Sequence, residues 1–145
     1  MRYFDTSALT PLIREEETSS RMAEFVALLP AGELAVSRWT EVEFASLVAR
    51  GVRAGAIRGA EATEADDAFE KVIRQSFVVW SLRDDDYALA RRYLRRYETG
   101  LRAGDALHLA IAGNRGAEVV YSLDRGMIKA GKILGLPVSR GISDG

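Results

Sequence analysis

Short runs of β-branched and aromatic residues recur along this chain, and segments with helical spacing separate them. MRYFD (1–5), ELAVS (33–37), FVVWSL (77–82) and EVVYS (118–122) read as strands, and Pro137–Val138 suggests a short fifth. Between the first two strands the pattern predicts a helix over roughly 7–14, capped by Thr6 or Ser7. A second helix is predicted over 18–29, with Met22, Phe25, Val26 and Leu29 on one face. Thr40 to about Ala54 and Thr63 to about Ser76, the latter with Thr63 as its cap, fill the next interval. A helix from Asp84–Asp86 to about Glu98 and an apolar one from Asp105 to about Asn114 fill the third. Strands alternating with helices of this length demand crossover connections, and crossovers demand an α/β fold with a mainly parallel sheet of four to five strands. In such sheets ligands collect outside the carboxyl ends of the strands.

That rule directs attention to the ionisable residues at strand ends. Asp5 ends the first strand, and Asp124 lies just past the fourth. Glu43 is expected in the first turn or so of the helix after the second strand, and Asp105 opens its own helix. All four belong to one edge of the sheet. Each has an ordinary reading by itself. Asp5 would cap the next helix, Asp105 would answer a helix dipole, Asp124 would serve the turn before Gly126, and Glu43 would be a solvated helix residue. Glu41, two residues before Glu43, competes with it for a place in the site. Together, carboxylates at one edge repel each other unless a cation compensates them. Oxygen-only ligands select a hard ion, Mg²⁺ or Mn²⁺, and such a site suits phosphodiester hydrolysis.

Bulk composition narrows the alternatives. A chain of 145 residues fits one domain, 1–145, and can bury a core without covalent staples. It has no cysteine, which removes disulfides, zinc–thiolate centres and cysteine nucleophiles. The net charge of −1 does not mark a polyanion binder, although the charges are unevenly placed. With no secretory h-region and no apolar run of membrane-spanning length, the expected location is cytoplasmic. A haloacid-type phosphatase would need an aspartate where Ser7 stands. A phosphoacceptor receiver domain lacks its lysine, and a dinucleotide-binding domain lacks its glycine fingerprint.

Three segments carry a resemblance to a known family. They are FDTSAL (4–9), SRWTEVEFASLVAR (37–50) and LRAGDALHLAIA (101–112), the last followed by VVYSLDRGM (119–127). In order and spacing they resemble the PIN-domain family, and specifically the VapC-type toxins of bacterial toxin–antitoxin pairs. The resemblance spans nearly the whole chain. It implies a three-layer α/β/α sandwich and a Mg²⁺- or Mn²⁺-dependent endoribonuclease, commonly a homodimer, held inactive by a cognate antitoxin. Carried over residue by residue, it makes Asp5, Glu43, Asp105 and Asp124 the catalytic, metal-binding acids. It also makes Ser7 a hydroxyl contact to phosphate or to water on the metal. Ser122, where relatives often have threonine, keeps a hydroxyl. Two other outcomes stay open: a PIN-like binding module without catalysis, and a nuclease of the same fold acting on DNA.

Other features have two readings each. Arg91, Arg92, Arg95, Arg96 and Arg102 are either RNA-backbone contacts or a solvated helix face. His108, the only histidine, is either a general base or, given Leu107, Leu109 and Ile111 around it, a packed side chain. Trp39 and Trp80 read as core or dimer surface. Met22, Phe25, Val26 and Leu29, with Val42, Phe44 and Leu47, form either core or an apolar stripe for a second copy or an antitoxin helix.

Overall fold

Alternation along each strand divides the core in two. Tyr3 and Phe4 point to opposite sides of the sheet, as do Ala35 and its neighbours Leu34 and Val36. In the computed structural model, which describes residues 1–143, β1 (Arg2–Phe4), β2 (Leu34–Ser37), β3 (Val78–Trp80), β4 (Val119–Tyr121) and β5 (Val138–Ser139) form one sheet. Its order is β3-β2-β1-β4-β5 and every pairing is parallel. Tyr3 sets the central register, opposite Ala35 on one side and Val120 on the other.

The helices lie in two layers. On one side α1 (Thr6–Leu9), α2 (Ser19–Ala27), α3 (Arg38–Arg53) and α4 (Gly59–Ser76) bury Leu9, Met22, Phe44, Val48 and Phe69 against Phe4, Leu34 and Val36. On the other, α6 (Ala103–Asn114) and α7 (Arg125–Ile133) bury Leu109, Ile111 and Met127 against Tyr3, Ala35 and Val120. Helix α5 (Asp84–Leu94) packs on α6 through Ala90, Ala106 and Ala110. This is the three-layer α/β/α architecture expected, with five strands. Most of the suspected apolar stripe is core: Met22 and Phe44 are buried, and Phe25, Val26, Leu29 and Leu47 pack against them. Val42 alone of the set is exposed. Both tryptophans join the second core, Trp80 stacking on Tyr3 with ring centroids 5.8 Å apart.

Several boundaries differ from the sequence expectation, each for a local reason. The first helix is capped by Asp5 rather than Thr6 or Ser7, and gives way to a 3-10 turn at Thr10–Leu12, where Pro11 has no amide to donate. Ser37 and Thr40 form a capping box, so α3 starts at Arg38 and Glu43 falls in its second turn rather than its first. Thr63 is inside α4, its hydroxyl donating to the Gly59 carbonyl at 3.3 Å; it caps nothing. Helix α5 stops at Leu94, short of Glu98, before a second 3-10 turn at Tyr97–Thr99. Helix α7 was absent from the sequence expectation. Its signals were Asp124, which caps it by accepting from the Met127 amide at 3.1 Å, and buried Met127, Ala130 and Gly131 at helical spacing. No helix among the described residues is long and apolar enough to cross a membrane.

Candidate active site

Strand order reverses between β1 and β4, because the chain leaves β1 toward β2 and β3 and returns on the other side at β4 and β5. A crevice opens at the carboxyl ends of the strands at such a point, where the two outgoing loops diverge. Asp5 follows β1, and Asp124 follows β4 by three residues. Asp105, at the third position of α6, and Glu43, from α3, complete the lining of one cleft of about 260 Å³, with Thr6, Ser7, Arg50 and His108. The four acids expected from sequence therefore line a common cleft. Glu41 does not line it; its carboxylate pairs with Arg38 at 2.7 Å on the surface.

Gly104 has a steric part in this meeting of helices. A β-carbon there would stand 2.9 Å from Glu43 Oε2 and 3.3 Å from the Trp39 ring, so a larger residue before Asp105 would displace the Glu43 carboxylate from its place in the cleft.

Asp5 is the most enclosed of the acids, only 3% exposed. One oxygen, Oδ1, accepts from the Ala8 amide at 3.0 Å and from the Ser7 hydroxyl at 2.7 Å. Ser7 in turn accepts from the Leu123 amide at 2.9 Å and lies 3.2 Å from the Ser122 hydroxyl. Ser122 accepts from the Asp124 amide at 3.1 Å and is fully buried. Both serines therefore brace the β1 and β4 ends around Asp5, and Ser122 is sealed from any phosphate in the cleft. Burial raises the Asp5 carboxyl above its ordinary range despite the opposing effects of His108, Ser122, Ser7 and Ala8.

Glu43 is held differently. Burial pushes its carboxyl up, but the hydrogen bond and charge of His108, then Thr6 and Arg50, outweigh burial and hold it below the usual carboxylate range. Thr6 donates to Glu43 Oε1 at 2.6 Å, and His108 Nε2 contacts the same oxygen. A carboxylate only accepts, so Nε2–H donates, and in the neutral ring Nδ1 accepts from the Tyr3 hydroxyl at 2.7 Å. Tyr3 continues the chain to Ser37, 2.9 Å away. His108 is packed, 1% exposed, yet polar in its contacts. A lone histidine three residues after Asp105 carried the right signal; its apolar sequence neighbours concealed that its ring reaches across to α3.

Asp105 has no such partners. Burial, then the charges of Asp124, Asp5 and Glu43, raise its carboxyl to about 6 even with His108 nearby. Arg102 lies with Asp105, Asp124 and Lys129 around an adjoining cleft. Arg91, Arg92, Arg95 and Arg96 are exposed on and just beyond α5 and do not line either cleft. Arg50 and Lys129, at the rims, were not among the cations that the sequence marked for RNA contact.

Asp105 gives the test for a cation. A carboxyl raised to about 6 by burial, and then by the charges of neighbouring carboxylates, is short of positive charge, and the donors facing it are oxygens suited to Mg²⁺ or Mn²⁺. Among the described residues no three acidic or histidine side chains form a ready-made metal cage. The residues fit such an ion by charge and donor type.

The sequence matches the PIN-domain family model over residues 2–133. The chain belongs to the PIN-domain family. No curated protein matches it at a significant level. Its PIN fold is similar to that of Mycobacterium tuberculosis VapC20, a sarcin–ricin loop cleaving toxin, with TM-score 0.72 and 19% identity over 90% of this chain and 95% of that one. FitAcB from Neisseria gonorrhoeae gives TM-score 0.70 and 19% identity, covering 97% and 98%. VapBC-1 from nontypeable Haemophilus influenzae gives 0.71 and 15%, also covering 97% and 98%. At these identities the likeness is one of fold.

Proposed function

We propose that this PIN domain is a divalent-metal-dependent endoribonuclease, the toxin of a VapBC-like toxin–antitoxin pair, acting on RNA phosphodiester bonds. One observation carries the reading: Asp5, Glu43, Asp105 and Asp124 line a single cleft at the switch point of the sheet, and its charge is left uncompensated at Asp105. Asp5, Asp105 and Asp124 would hold Mg²⁺ or Mn²⁺, with Glu43 as a fourth acid kept ionised by His108 and Thr6. When bound, the ion supplies Lewis-acid polarisation of the scissile phosphate and of the attacking water.

The chain supplies the rest. Ser7, Ser122 and the Ala8 amide fix the Asp5 carboxylate, so it needs no reorganisation during reaction. Tyr3 and Ser37 fix His108, and His108 fixes Glu43. Arg50 and Arg102 at the rims offer charge to the phosphate, which an acidic cleft alone repels.

Neighbours of this fold include the VapBC and FitAB assemblies, which supports an antitoxin partner, and pairing with a second copy of the chain belongs to the same proposal. Purified protein freed of any partner should cleave single-stranded RNA with Mg²⁺ or Mn²⁺, and EDTA should abolish cleavage. Asp5→Asn and Asp105→Asn should be inactive yet folded. Full activity in either variant, or in EDTA, rules the site out. Cleavage of DNA and not RNA would redirect the substrate, and inactivity with every metal would leave a binding module. An antitoxin-sized reading frame directly upstream would support the partner, and light scattering reads the dimer.

A further inference from the structure

A groove of about 670 Å³, roomier than the acidic cleft of about 260 Å³, lies between α7 and the edge strand β5. Arg125, Lys129, Lys132 and Arg140 line it, with Ile128, Ile133 and Val138 as its apolar floor, and no acidic residue takes part. In a chain with 20 basic and 21 acidic side chains, the three α7 cations Arg125, Lys129 and Lys132, with no acid among the residues lining the groove, are a strong local excess. On α7 the cations fall at 125, 129 and 132, so one face of the helix presents them in a row, rising about 6 Å from the first to the second. None of Arg125, Lys129 and Lys132 has an ion pair among the described residues. This contrasts with the basic stretch near α5, where Arg96 is paired with Glu98.

The groove is also continuous with the acids. Lys129 lines both the groove and the cleft that holds Arg102, Asp105 and Asp124. Arg140 lines both the groove and a third cleft, which holds Ser7, Thr10 and Asp124. Gly131 allows this closeness: a β-carbon there would collide with Val138, so α7 lies tight on β5 and brings its cations to the sheet edge.

We infer that the α7–β5 groove is the exit track for the single-stranded RNA substrate, its cations holding backbone phosphates on one side of the scissile bond. The inference rests on the nuclease reading and adds which surface binds the strand. Only a polyanion whose one end lies in the acidic cleft uses both the cation row and its continuity with Asp105 and Asp124. An acidic peptide would match the charge but would gain nothing from that continuity.

The test is binding of a labelled single-stranded RNA with Mg²⁺, followed by anisotropy across a salt series. It is run in the Asp5→Asn background so that the RNA survives. Adding Lys129→Gln and Lys132→Gln should weaken binding about tenfold and flatten the slope of log K against log salt by about 1.4, at about 0.7 per phosphate contact on a single strand. Lys71→Gln, on α4 at the far side of the fold, should change neither. Unchanged affinity and slope in the Lys129/Lys132 variant overturn the track, as does failure of the parent protein to bind RNA. An acidic peptide that binds the groove without displacing RNA overturns it too. Hydrolysis is scored separately in protein with Asp5 intact. Groove-dependent binding without hydrolysis leaves the track standing and removes the nuclease reading. Hydrolysis with groove-independent binding does the reverse.

Discussion

Among the described residues two aspartates are almost completely buried, and they are treated in opposite ways. Asp86, fully enclosed at the start of α5, accepts from Arg115 at 2.7 Å, from Asn114 at 2.9 Å and from the Arg83 amide at 2.8 Å. Burial pushes its carboxyl up, but Arg115, then Asn114 and Arg83, more than reverse this and hold it below the ordinary range. Asp5, 3% exposed, has hydroxyls and one amide but no cation in hydrogen-bond contact, and stays above its range. Asp86 therefore joins α5 to the end of α6, and its charge is spent inside the fold. At Asp5 and Asp105 no cation among the described residues forms an ion pair with the carboxyl, and burial keeps both raised. A buried charge answered within the protein reads as structure, and one left over reads as function.

Substitutions should separate the two regions. Asp86→Ala strands the guanidinium of Arg115 and should cost about 3–5 kcal/mol in urea unfolding, with unchanged RNA hydrolysis per folded molecule. Asp5→Asn should behave oppositely. Hydrolysis should fall at least about 100-fold, equivalent to about 2.7 kcal/mol of barrier, with little change in the unfolding midpoint. Equal stability losses in both variants would erase the distinction. Mg²⁺ at about 100 times its Kd should raise stability by about 2.7 kcal/mol through the acidic cleft, and Asp105→Asn should remove most of that gain in a thermal melt.

The smallest effect is in pH. Asp105 is raised to about 6, so its contribution to stability is present below the unfolded aspartate value and is lost as pH rises through 6. Metal-free Asp105→Asn should therefore be more stable than the parent by about 1 kcal/mol at pH 8, discounted for partial solvent contact, and no more stable at pH 4. Asp86 has the reverse sign, present above the ordinary range and lost as pH falls through its lowered value. Proton and cation compete at Asp105, so the affinity for Mg²⁺ should decline below about pH 6 and the rate at limiting Mg²⁺ should fall with it. An Mg²⁺ affinity that is flat from pH 5 to 8 would deny Asp105 a part in holding the ion.

Much of this was legible beforehand because strand and helix periods are local. The β-branched and aromatic runs located four strands, Pro137–Val138 suggested the fifth, which lies at Val138–Ser139, and strand-end position brought Asp5 and Asp124 into question. Caps were less legible, since Asp5 can be both a cap and a cleft residue and the sequence does not rank those uses. Helix α7 escaped because RGMIKAGKI is short and has two glycines; burial against β4 and β5, rather than intrinsic preference, stabilises it. The basic groove escaped with it.

From sequence alone came the alternation that demands a parallel sheet, the exclusion of thiol chemistry, and four acids in an order that resembles one family. Tertiary structure alone decided which glutamate enters the cleft, because Glu41 and Glu43 differ only in the face of α3 they occupy, and the orientation of α3 is set by burial of Thr40, Phe44 and Val48. It alone drew His108 to Glu43 across 65 residues of chain and left Arg91 and Arg92 outside the clefts at the acids. The physical reason is range. Backbone preference and side-chain period act over a few residues, whereas the field at a carboxylate is the sum over whatever the fold brings near it.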